Sequence, residues 1–195
     1  MKNAIAIAAI AGLASAATAQ SLSVNIDFGA TSINVGETTT VTMTADFTGT
    51  GTAYMSVANF SLVGDNGLAT ASGVALGGWN MAALGAATGS ADGAGISGIK
   101  IQQQALFGAV DTTASGLLIA SWTVTADAAG VLSYSGVDGA PFSFGINDAD
   151  NSFGSPVSYD VSVIGGERLT ITAVPAPSAM ALLGLGGMVA GRRRR

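Results

Sequence analysis

The sequence predicts an all-β fold: an antiparallel two-sheet β-sandwich, of jelly-roll or a related topology, preceded by a signal helix and followed by a short apolar helix. Three observations predict it. Apolar and polar residues alternate with period two over many short runs, as strands with one buried face require. The runs are separated by Gly, Asn and Asp, which turns favour. Between the two ends almost no stretch carries the 3.6-residue periodicity of an amphipathic helix.

In chain order, Leu22, Val24, Ile26 and Phe28 alternate with Ser23, Asn25 and Asp27, and Val41, Met43, Ala45 and Phe47 alternate with Thr42, Thr44 and Asp46. Both runs read as half-buried strands. The same pattern predicts strands over 54–63, 96–103, 117–126, 131–137, 142–146, 157–164 and 168–173. Within 117–126, Trp122 shares an alternate face with Leu118 and Ala120, which assigns it to the interior. The segment 69–90 is richer in Gly and Ala, contains Trp79 and Met81, and reads as a long loop or an irregular strand.

Composition sets limits on function. Only 10% of the residues are charged but 49% are hydrophobic, so the chain folds instead of remaining a charged, disordered coil. There is no cysteine, hence no disulfide, thiolate zinc site or thiol nucleophile, and no histidine, the commonest general base and transition-metal ligand. The formal charge of −5 hides an asymmetry, because Lys2 and Arg192 to Arg195 supply five of the seven cations. Over 20–173, twelve carboxylates face Lys100 and Arg168 alone, a balance of −10. Such a body does not bind nucleic acid by neutralising phosphates. It suits solubility, weak cation binding or a neutral partner.

The ends divide the chain into 1–19, 20–173 and 174–195. Lys2, the apolar run 4–14 and the small residues Ala17 and Ala19 stand in the order of a secretory signal, and cleavage after Ala19 leaves Gln20 first. The segment therefore implies export machinery and signal peptidase as partners. At the other end Val174-Pro175-Ala176-Pro177 breaks the last strand. Ser178 then offers an N-cap to an apolar helix over 178–191. As a helix that stretch measures about 21 Å, short of the roughly 30 Å hydrocarbon core. Arg192, Arg193, Arg194 and Arg195 would stay on the cytoplasmic side and hold the tail in the membrane while the body is exported. An ordinary permanent anchor would call for a longer span.

This succession of a proline motif, an apolar helix and a terminal basic cluster resembles the PEP-CTERM sorting tail of bacterial exported proteins, a tail class also called the ice-binding-protein C-terminal domain. The resemblance covers 174–195 and departs from the pattern at Ala176, which replaces the acidic residue between Pro175 and Pro177. It implies handling by an exosortase-type membrane peptidase, a transient inner-membrane stage, and release or attachment at a cell surface rich in exopolysaccharide. In the body, 33–38 leading into 39–46, then 57–62, and later 118–126 followed by Gly130, resemble cohesin-like and related carbohydrate-module sandwiches through their alternation and turn glycines. That resemblance implies non-catalytic binding to a protein partner or a polysaccharide.

Two places carry candidate chemistry. Asn147-Asp148-Ala149-Asp150-Asn151-Ser152, followed by Gly154, presents alternate carboxylates, making Asp148 and Asp150 candidate calcium ligands. The run is not an EF-hand loop, since Phe153 stands where glycine is needed, and a solvated hairpin turn is the rival reading. Trp79, flanked by Gly77, Gly78 and Asn80, is the candidate for stacking on a sugar ring. No nucleophile motif, phosphate loop or spaced carboxylate pair marks an enzyme. The sequence thus predicts a non-catalytic exported surface or matrix protein that binds polysaccharide or a surface protein. The alternatives are a calcium-supported carbohydrate-binding module and, more remotely, a glycan-processing enzyme. An ice-binding adhesin follows only from the tail's second name, with no regular Thr-x-Thr repeat array along the body to support it.

Overall fold

Alternation becomes structure most directly at the start of the body. In the computed structural model, which describes residues 20–174 apart from Asn66 and Ser152, β1 (Ser21–Phe28) buries Val24, Ile26 and Phe28. It pairs antiparallel with β3 (Thr38–Thr48), which buries Val41, Met43, Ala45 and Phe47 on the same side. β3 pairs in turn with β8 (Leu117–Ala126), and β8 with β5 (Ala69–Leu76). The other edge of this first sheet is β13 (Ile164–Gly166), which runs parallel to β1.

The second sheet follows the order β12 (Val157–Tyr159), β11 (Phe144–Asp148), β4 (Ala53–Gly64), β7 (Gly95–Gln102) and β6 (Thr88–Asp92). β10 (Tyr134–Asp138) pairs with the later part of β4. Phe60, Leu62, Ile99, Ile101, Phe144 and Ile146 point inward to meet the apolar face of the first sheet. A small third sheet of β2 (Ser32–Asn34), β14 (Leu169–Thr172) and β9 (Gly130–Leu132) closes one end with Ile33, Leu132, Leu169 and Ile171. Removal of these side chains from water is the main stabilising term, at about 25 cal/mol per Å² of apolar surface.

Several expectations need correction. The predicted strand 157–164 is two strands in different sheets, separated by a 3₁₀ turn over Val161–Val163, whose N-terminal amide at Ser162 is capped by Asp160. The predicted strand 131–137 divides at Ser133, whose amide and hydroxyl both donate to Asp65 while the chain crosses from the third sheet to the second. Within 69–90 lie the bulged strand β5, a strand-free stretch over 77–87 with a 3₁₀ turn at Ala82–Leu84, and the first residues of β6, so the segment is neither one loop nor one strand. β2 was hidden by its shortness. The sheets are not wholly antiparallel, because β1 with β13 and β2 with β14 run parallel. Trp122 is buried as expected, but a bulge where Thr44 pairs with Leu118 shifts the phase of β8, so Leu118 faces outward.

The two ends of the body lie at opposite poles. β1 starts opposite the last residue of β3, whereas Val35 donates to the carbonyl of Thr172 beside the first residues of β3. The link from Thr172 to the tail therefore leaves from the pole opposite the 49–52 and 148–154 turns. Residues 1–19 and 175–195, for which the sequence predicts a signal helix and an apolar tail helix, lie outside the described residues.

Candidate functional site

Trp79 lies buried at a turn and does not project into solvent. It is 6% exposed, and its indole Nε1 donates to the carbonyl of Leu118 at 2.9 Å. The neighbouring glycine is what lets the ring fold back. A Cβ at Gly77 would stand 2.0 Å from the Leu118 oxygen and 2.7 Å from the indole nitrogen. Residues 77–80 form a turn, as the sequence predicts, but a close-packed one, in which the ring's donor is satisfied and the indole joins the core.

Asp148 and Asp150 are brought together, but onto backbone. Asp148 Oδ1 accepts from the amides of Thr52 and Asp150 at 3.1 and 2.9 Å, and Asp150 Oδ2 accepts from the Thr52 amide and hydroxyl at 3.1 and 3.0 Å. The pair locks the 49–52 turn to the end of β11. Calcium takes about six to eight oxygens. Among the described residues no group of three or more Asp, Glu, His or Cys is placed to hold a metal, and the hydrogen bonds of this pair go to the Thr52 turn and the Asp150 amide. Pro175, Ala176, Pro177, Arg192 to Arg195, Ala17 and Ala19 all fall outside the described residues.

A concavity elsewhere has the makings of a site. On the outer face of the second sheet, a cleft of about 380 Å³ has β4, β7 and β11 as its floor. Register puts Asn59 opposite Lys100 and Val57 opposite both Gln102 and Gly145, so these positions share one face. The walls come from Leu84, Phe142 and Pro156. Phe142 lies over the floor because Gly145 has no side chain: a Cβ there would meet Phe142 Cε2 at 3.0 Å and Ser56 Oγ at 2.8 Å. Asn59 fixes that wall by donating from Nδ2 to the carbonyl of Ala140 at 2.8 Å.

Gln103 builds the far end. It is 2% exposed; its Nε2 donates to the carbonyls of Met55 and Asp111 at 2.8 and 3.0 Å, and its Oε1 accepts from the Asp111 amide at 2.7 Å. This clamp ties the segment after β7 to β4. Its neighbours face the other way. Lys100, Gln102 and Gln104 alternate along β7 and its extension and line the cleft, and among the described residues their side chains make no hydrogen bond or ion pair. No carboxylate lines the cleft, so it holds no acid and base pair of the kind glycoside hydrolysis uses.

Likeness to solved structures settles the architecture. The sixth cohesin of scaffoldin B from Acetivibrio cellulolyticus, crystallised in complex with a Cel5 dockerin mutant, superposes with a TM-score of 0.53 at 10% identity, covering 77% of this chain and 99% of that one. The body is a cohesin-like β-sandwich. The second type II cohesin module of the same organism's cellulosomal adaptor scaffoldin gives a TM-score of 0.51 at 9% identity, covering 79% of this chain and 98% of that one. At such identities the likeness concerns the fold. Residues 173–195 match the PEP-CTERM protein-sorting motif, so the chain joins a cohesin-like body to a sorting tail, and Ala176 does not prevent the match. No curated protein matches the chain by sequence.

The row from Lys100 to Gln104 escaped the sequence reading, although its signal was present. Lys100 is one of two cations in the body, and three of the chain's four glutamines follow it at 102–104.

Proposed function

We propose that this is an exported, non-catalytic binding protein, sorted through its tail by an exosortase-type peptidase and presenting the cleft on the second sheet to a polysaccharide or a surface protein. The observation that carries this reading is the row of Lys100, Gln102 and Gln104, unpartnered among the described residues, in a walled cleft that lacks carboxylates. Gln103, which is buried, is satisfied internally, whereas the solvent-reached row beside it leaves its donors and acceptors available to an external ligand in a concave site. The poles support display. The cleft is built from the beginning of β4 and the ends of β7 and β11, the half of the sandwich remote from Thr172. A cohesin-like body supports binding in place of catalysis, and the dockerin in the scaffoldin B complex makes a protein ligand one of the two options.

Co-sedimentation of the purified full-length protein with the extracellular polymer of the cells that make it tests this reading. A variant combining Lys100→Gln, Gln102→Ala and Gln104→Ala is expected to fold normally and lose the association; undiminished association would refute the cleft as the site. Mass spectrometry of the protein recovered from the cell envelope tests the sorting arm. It should begin at Gln20 and lack Arg192 to Arg195, and an intact tail in a soluble fraction would contradict sorting.

A further inference from the structure

Comparison of the concavities narrows the chemistry of the ligand. Three other concavities among the described residues each include a carboxylate in their lining, Glu167, Asp46 or Asp111. The cleft over β4, β7 and β11 has Lys100 and no carboxylate, in a body whose balance is −10. Resting on the reading of this cleft as the ligand site, we propose that it binds an acidic polysaccharide, with Lys100 facing the ligand's carboxylate and the amides of Gln102 and Gln104 on its hydroxyls.

The sheet around the cleft argues against a peptide. β4 lies between β7 and β11, β11 is covered by β12, β7 is paired by β6 as far as Lys100, and beyond it the Gln102 carbonyl and amide are taken by the Met81 amide and the Asn80 side chain, so the floor offers no free edge on which an extended peptide could add as a strand. The floor is also set with Asn59, Lys100 and Gln102, which would strand the apolar face of a docked amphipathic helix against polar groups. A sugar ring suits both the floor and the walls. Amide side chains donate and accept, matching hydroxyls in either sense. Phe142 and Leu84 give an apolar wall for the C–H face of the ring. The cleft's 380 Å³ lies in the range of small-ligand sites, about 300–1,000 Å³, and accommodates a short stretch of glycan. The body's negative charge disfavours indiscriminate adsorption of polyanions, so a bound uronate reports a local contact.

The test is calorimetric titration of full-length protein with polygalacturonate, with the same polymer methyl-esterified, and with polyglutamate. Polygalacturonate should bind, and esterification or Lys100→Gln should each weaken binding by about ten- to a hundredfold, the worth of a charge-assisted hydrogen bond. Lys100→Arg should keep most of the affinity, and Arg168→Gln, outside the cleft, should leave it unchanged. Failure to bind polygalacturonate, or binding indifferent to both esterification and Lys100→Gln, would overturn the inference. Binding of the esterified polymer alone, lost on Gln102→Ala, would overturn the acidic class yet leave the cleft as the site. Polyglutamate bound as tightly as polygalacturonate would replace the glycan by an acidic protein partner. Uronate binding untouched by every cleft variant would overturn both the inference and the cleft reading.

Discussion

The two main sheets obey the same alternation rule and end with different outer faces. On the first, β3 sets Thr40, Thr42 and Thr44 outward between Asn25 and Asp27 of β1 and Ser121 and Thr123 of β8, so a row of hydroxyls alternating with buried residues does exist, on one strand. At its margins side chains pair with one another: Ser21 bonds Thr48 at 2.8 Å, Asn25 donates to Asp46 at 3.2 Å, Ser115 donates to Asp46 at 2.6 Å, and Thr70 donates to Asp127 at 2.6 Å, while the short hydroxyls of Thr40, Thr42 and Thr44 stand on an unwalled surface. The second sheet carries longer side chains under walls raised by connections from elsewhere in the chain, and it leaves Lys100, Gln102 and Gln104 without partners among the described residues. Strand pattern decides which side chains face out; the crossing connections decide whether they lie on an open surface or in a walled cleft.

The largest effect that bears on this contrast is expected from the core the faces share. Trp122 is 1% exposed, packs edge-on against Tyr134 and donates to its hydroxyl at 3.2 Å, and burial pushes the Tyr134 phenol up to about 12. Trp122→Ala should cost about 3–5 kcal/mol in denaturant unfolding and weaken both faces together. Gln103→Ala should be next, at about 2–3 kcal/mol, because it leaves buried groups of Met55 and Asp111 unpaired. It should also reduce binding at the cleft while sparing the first sheet. The double change Asp148→Asn and Asp150→Asn should lower stability by about 1–2 kcal/mol, equally with calcium or a chelator present, since the carboxylates serve the Thr52 turn. A thermal shift with calcium that this double change abolishes would reinstate the metal.

A smaller effect separates the faces by pH. The Ser115 hydroxyl, then the Gly116 and Asn25 groups, hold the Asp46 carboxyl below its ordinary value. Its contribution is present above the unfolded value of about 4 and is lost as pH falls through the lower, folded one. Acid from about pH 5 to 3 should therefore destabilise the wild type more than Asp46→Asn, as measured by melting temperature. The smallest effect on stability belongs to Lys100→Gln, within about 0.5 kcal/mol, as for an exposed side chain with no partner.

Much of the fold was legible where inward residues are large. β1, β3, β4 and β8 lie where the alternation of Val, Ile, Met and Phe put them. β5 was obscured because its inward residues are Ala69 and Ala71, too small to stand out from Gly73 and Ser72. The division of 157–164 was obscured because Val161 and Val163 continue the apolar alternation through a 3₁₀ turn. The site was legible in half. The outward placement of Lys100 and Gln102 follows from strand 96–103, but Leu84, Phe142 and Pro156 reach the same cleft only through the fold. Trp79 does sit in the turn that its glycines signal, but its burial was not legible, because it depends on the close approach of Gly77 to Leu118 and the indole.

The body's lysine content offers the most direct test of the ligand face. Within 20–174 Lys100 is the only lysine. An amine-reactive label applied to the protein on the cells that make it, and in parallel to the purified protein, reads the cleft at one position. The account predicts strong protection of Lys100 on cells and full labelling when purified; equal labelling in both would contradict it.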